Sequence, residues 1–163
     1  MAFFRVKKIK GNEYVYIVEN EWKRKGSRQK VKGYVGRAYR FGMQNDVGFL
    51  EYLKMNDASS YIDTNEKTKI MHDLIEWEFF RFGISKEFLV KNETTKIQKN
   101  NKDAAILVNE GYMCTLTLRN LLDFKPENEE TDGYRLARAF VEAGIKVPQE
   151  IFIGLFDKIT KKN

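Results

Sequence analysis

Apolar and polar residues alternate through most of the first forty positions. Phe4 and Val6, Val15 and Ile17, and Val31 and Val35 take one side of three short runs. Arg5, Lys7, Tyr14, Tyr16, Arg28, Lys30, Lys32 and Tyr34 take the other. A period of two is that of a β-strand with unlike faces. It predicts an antiparallel meander over residues 3–10, 13–22 and 28–37, turning at Gly11-Asn12 and around Gly26. Beyond residue 40 the period lengthens toward 3.6. Phe49, Leu50 and Leu53 suggest a short helix over 46–55. Ile70, Leu74, Trp77 and Phe80 or Arg81 suggest a longer one over 64–82, capped by Asp63 or Thr64 and stopped at Gly83. Further helices are expected over 115–124, 131–143 and 148–158, the last with Pro148 at its first position.

Between these helical stretches, residues 88–108 read as one hairpin. Phe88-Leu89-Val90 faces Ala104 to Val108, and the polar NETTKIQKNNKD between them is expected to be a flexible loop. The fold class expected is α+β: an N-terminal three-stranded antiparallel sheet, then a mostly helical body with one further β-hairpin. Residues 1–40 would be a basic β-meander module, and residues 41–163 an α-rich body packed with it as one compact unit.

Charge sharpens this division. Residues 1–40 hold twelve Lys and Arg against three acids, a net +9, whereas the 163-residue chain is +6, leaving residues 41–163 at −3. Basic charge concentrated in one quarter of a chain builds a surface for a polyanion, and nucleic acid is the commonest one. Apolar runs fall far short of a membrane span. The N-terminal MAFFRVKKIKG has no secretory signal pattern, and the single cysteine fits a reducing compartment, so a cytoplasmic protein without a membrane partner is expected.

Rings and cations on one sheet face suit single-stranded nucleic acid, because bases stack on rings while cations hold phosphates. The candidate binding residues are Arg5, Lys7, Tyr14, Tyr16, Trp22, Lys23, Arg24, Lys25, Arg28, Lys30, Lys32, Tyr34 and Arg37. Lys23-Arg24-Lys25 sits at a hairpin tip, where it can reach phosphates without reading bases. The helix pair around LARAFVEAGIKVPQEIFIGLF has helix-turn-helix spacing. Its second helix offers Gln149, Glu150, Phe152, Phe156 and Asp157, which suits core packing or a protein partner better than DNA.

Catalysis finds little support. His72, the lone histidine, lies beside Asp73 and Glu76 without a second soft ligand at metal spacing, and is expected to be a satisfied or exposed helical side chain. Cys114 reads as a buried thiol. Asp103 and Glu110 with Lys102 form the kind of triplet that chance supplies, and Gly33 and Gly36 stand in a strand rather than at a helix entrance. No catalytic, metal or cofactor site is expected.

The pattern FRVKKIKGNEYVYIVENEW…RQKVKGYVGR resembles the N-terminal segment of some insertion-sequence transposases and of small archaeal proteins that share it. A Lys-rich strand, a Tyr-x-Tyr strand, Arg-Gln-Lys and a Tyr-x-Gly end recur there. Over about forty residues the resemblance implies a small nucleic-acid-associated β-module, and the remainder carries no transposase motif. The function expected is non-catalytic nucleic-acid binding, RNA before DNA and in association with the ribosome. Its alternatives are a DNA-binding accessory protein and a protein-interaction module built on the C-terminal helices.

Overall fold

The computed structural model describes residues 2–90 and 93–161. Its first three strands run where alternation places them: β1 (Ala2–Ile9), β2 (Asn12–Lys23) and β3 (Gly26–Arg40). The β1–β2 turn is one residue earlier than expected, at Lys10-Gly11, and both residues are left-handed (φ 49° and 82°), as a type I′ hairpin turn requires. Helices α1 (Phe49–Leu53), α2 (Ala58–Thr64) and α3 (Lys67–Arg81) follow. Then come strands β4 (Leu89–Val90), β5 (Glu93–Lys99), β6 (Lys102–Val108) and β7 (Gly111–Met113). Helices α4 (Thr115–Leu122), α5 (Asp132–Glu142) and α6 (Gln149–Thr160) complete the chain.

This overturns the expected fold class. Among the described residues the protein is built on one seven-stranded mixed sheet in the order β1-β2-β3-β6-β5-β4, with β7 also on β6, and the six α-helices are short. It is not a three-stranded sheet followed by a helical body. The joint is parallel pairing of β3 with β6, Arg37 opposite Ala104 through Arg40 opposite Leu107. Gly36 permits that approach, since a Cβ there would stand 2.5 Å from the Asp103 carbonyl oxygen. The stretch expected to be a flexible loop holds β5 from Glu93 onward; Asn92 lies outside the described residues. β5 turns into β6 through Asn100-Asn101 and β6 into β7 through Asn109-Glu110, all four left-handed.

Helix boundaries shift too. The short helix begins at Phe49, and α2 was not expected; Asp57 caps it by accepting from the Ser59 and Ser60 amides. α3 starts at Lys67, without a side-chain cap. Pro148 precedes the first turn of α6 rather than opening it. α3 is buried on most sides, through Ile70, Met71, Leu74, Ile75, Trp77 and Phe79, so a single apolar stripe describes it poorly. Of the alternatives Phe80 and Arg81, Arg81 goes inside.

The main core joins α3, α4, α5 and α6 to one face of β6 through Ala104, Ile106 and Val108. The other face of β6 and the apolar face of the first hairpin make a smaller core, where Phe4, Val6, Val15 and Val35 meet Ala105, Leu107 and Cys114. Ion pairing also reaches the interior. Arg81 Nη1 donates to both oxygens of Glu78 (3.0 and 3.1 Å), and Glu78 also accepts from Asn109 Nδ2 and the Lys146 amide. Burial pushes the Glu78 carboxyl up from its ordinary value, while the Lys146 amide and the Arg81 guanidinium pull the other way. That network ties α3 to the β6–β7 turn and the α5–α6 connection.

Candidate nucleic-acid interface

The candidate interface is the β1–β2–β3 face turned away from the smaller core. Residues paired across antiparallel strands share a face, and Arg5, Tyr16 and Tyr34 form one such row. Lys7, Tyr14 and Arg37 form the next. The Tyr34 ring centre lies 5.3 Å from that of Tyr16 and 6.4 Å from that of Tyr14, with Tyr34 the most exposed of the three at 57%. Lys7 Nζ stands 4.9 Å from the Tyr16 ring. Arg37 donates to Asn12 Oδ1 at 2.8 Å and lies 5.4 Å from the Tyr39 ring, while Arg5 bonds Gln29. The array is therefore laid out by the sheet and braced by neighbours. The Tyr34 phenol is pushed up from its ordinary value by burial first, then by Tyr16, Tyr14 and Asp103, and so stays a neutral donor at physiological pH.

Three expected members stand elsewhere. β3 carries two irregularities, between its pairings with Val15 and Tyr16 and again between Ile17 and Val18. Val35 and Lys32 are the extra residues. One extra residue exchanges the faces beyond it. The second bulge therefore moves Arg28 and Lys30 onto the face of Glu21 and Glu19. There Lys30 pairs with Glu21 at 3.3 Å and Lys32 with Glu19 at 3.2 Å. Arg28, Lys30 and Lys32 thus leave the tyrosine face, and Val31, expected inside the apolar face, lies across from Val18 and is exposed.

The tip keeps its expected character. Residues 22–32 are all exposed, burial beginning again only at Gly33, and Trp22 is 84% exposed opposite Ser27. Among the described residues Lys23, Arg24, Lys25 and Arg28 have no acidic partner.

The structure adds members that alternation in the first forty residues does not point to. Where β3 meets the β5–β6 hairpin, a cleft of about 290 Å³ is walled by Tyr14, Tyr34 and Tyr39 and rimmed by Arg37, Lys102 and Asp103. Tyr14 and Tyr34 also wall a more open depression beside Ile9 and Tyr16. Tyr39 is held edge-on against Phe88 at 5.1 Å, which anchors the cleft to the main core. The Asn-Asn turn that places Lys102 was the usable signal, since Asn tolerates the left-handed region.

The remaining sequence candidates stand apart from this face. Cys114 is buried with its Sγ 3.5 Å from Thr117 Oγ1. His72 is half-buried, and its Nε2 lies inside with no hydrogen-bond partner, so it is neither satisfied nor freely exposed. No group of three His, Cys, Asp or Glu among the described residues is placed to hold a metal. No helix among them is long and apolar enough to cross a membrane. α5 and α6 pack into the core through Leu136, Phe140, Ile151 and Leu155. Compared with known protein families, curated proteins and solved structures, the chain matches none.

Proposed function

We propose that the protein is a non-catalytic nucleic-acid-binding protein that prefers single-stranded RNA. The observation that carries this reading is the cluster of Tyr14, Tyr16 and Tyr34 on one sheet face beside Lys7, Arg5 and Arg37. Each ring offers a π-face to an unpaired base, a contact worth about 1–3 kcal/mol per base. Cations around the rings and at the unpaired Lys23-Arg24-Lys25 tip supply phosphate contacts that any sequence would satisfy. A duplex hides its base faces, so rings presented on a sheet face favour single strands.

Fluorescence anisotropy with a labelled RNA of about twelve nucleotides, its DNA counterpart and both duplexes tests the reading. Single-stranded RNA should bind most tightly, with log affinity falling linearly in log salt between about 50 and 200 mM. Tyr34→Leu should weaken the single strands selectively. Absence of binding at low salt, or salt-dependent binding indifferent to Tyr34, would overturn it and leave a protein partner at the C-terminal helices as the better reading.

A further inference from the structure

We propose that the cleft between β3 and the β5–β6 turn is a pocket for one guanine base. The proposal takes its polymer context from the nucleic-acid reading above, but the pocket chemistry stands on its own geometry. At about 290 Å³ the cleft falls just below the roughly 300–1,000 Å³ of small-molecule sites, room for a single base rather than a strand. Two of its walls, Tyr14 and Tyr34, belong to the ring array, so a base entering it remains next to bases stacked on Tyr16.

The polar rim chooses among bases. Asp103 offers an acceptor pair, of which Oδ1 takes one hydrogen bond from Gln98 Nε2 at 3.3 Å and keeps further acceptor capacity. Its neighbour Lys102 has no acidic partner among the described residues, and Arg37 lies on the same rim. A carboxylate beside a cation matches two adjacent donors followed by an acceptor. Guanine presents that order on its pairing edge, with N2–H2 and N1–H followed by O6. Adenine and cytosine each offer a single amino donor next to a ring acceptor, which a carboxylate repels. Uracil offers one N–H between two carbonyls. Only guanine satisfies both oxygens of Asp103 and gives Lys102 or Arg37 a carbonyl.

The test uses the full chain and labelled uridine tracts of about twelve nucleotides carrying one central guanine, inosine, adenine or cytosine. Guanine should bind about tenfold more tightly than adenine, with inosine, which lacks the 2-amino group, between them. Asp103→Asn should erase that order while leaving the melting temperature unchanged. Free guanosine and adenosine monophosphates are titrated in parallel, following the Tyr14 and Tyr34 ring resonances by NMR. Equal affinity for all four tracts would overturn the pocket and leave the nucleic-acid reading standing. Ring shifts with guanosine monophosphate alone, without binding of any tract, would keep the pocket and overturn that reading. No response in either arm would overturn both.

Discussion

The hairpin tip and helix α3 both carry dense charge, and they treat it in opposite ways. Around Lys23, Arg24, Lys25 and Arg28 the cations stand in solvent without acidic partners among the described residues. In α3 the Glu78–Arg81 pair lies within the main core, and the carboxylate is met by the guanidinium, an amide side chain and a backbone N–H. A buried pair answers to its own surroundings, since losing one partner strands the other in low dielectric. An exposed, uncompensated cluster adds almost nothing to folding and stays available to a polyanion. Position, not charge count, separates the two clusters.

The strongest way to break that contrast is at Glu78. Glu78→Ala leaves Arg81 buried and uncompensated and the Lys146 amide without its acceptor, while Asn109 Nδ2 keeps its bond to the Gly144 carbonyl. Destabilisation of about 3–5 kcal/mol is expected by denaturant unfolding. A cost below about 1 kcal/mol would mean that the pair is as dispensable as a surface one.

Next comes Tyr34. Truncation to Leu should reduce single-strand affinity by about 1–3 kcal/mol, with the salt slope nearly constant, because stacking releases no counterions. The ring is more than half exposed, so unfolding stability should move by no more than about 0.5 kcal/mol. A large fall in stability with unchanged affinity would assign the tyrosine face to packing instead.

A smaller and different signature belongs to the tip. Changing Lys23, Arg24 and Lys25 together to Gln should lower the salt slope by up to about 2 units, at about 0.7 per single-strand phosphate contact. The melting temperature should hold, since the tip packs on nothing. If the slope is unchanged, the exposed cluster does not meet phosphate.

How far the sequence reveals this arrangement depends on distance along the chain. Strands β1 to β3 are legible because successive side chains differ in burial, Val15 fully buried in the smaller core and Tyr16 beside it only partly covered. The bulges at Lys32 and Val35 are not, since an extra residue is defined only against its partner's register. β5 shows a single fully buried apolar side chain, Ile97, in an otherwise polar ETTKIQK, and resembles a loop until its pairing is known. The parallel joint between Arg37 and Ala104 spans more than sixty positions, beyond any local period. Half of the cleft comes from that joint, so Lys102 and Asp103 escape a reading of the first forty residues, and Tyr39 escapes because the third strand is expected to end at residue 37 but continues to Arg40.

The smallest expected effect follows from the bulges. Lys30 and Lys32 face Glu21 and Glu19 on the side opposite the tyrosines, each within ion-pair distance. A lysine whose charge is already met by a carboxylate releases fewer counterions when a phosphate arrives, and its face points away from the tyrosines. Lys30→Gln with Lys32→Gln should therefore lower the salt slope by less than Lys23→Gln with Lys25→Gln, although each double variant removes two charges. Surface pairs of this kind hold about 0–1 kcal/mol, so stability should scarcely change either. The comparison is a difference between two salt titrations on variants of equal net charge, which cancels the general field of the protein. Equal slopes would mean that net charge alone governs binding, and the division of this hairpin into a tyrosine face and a self-paired face would have no functional meaning.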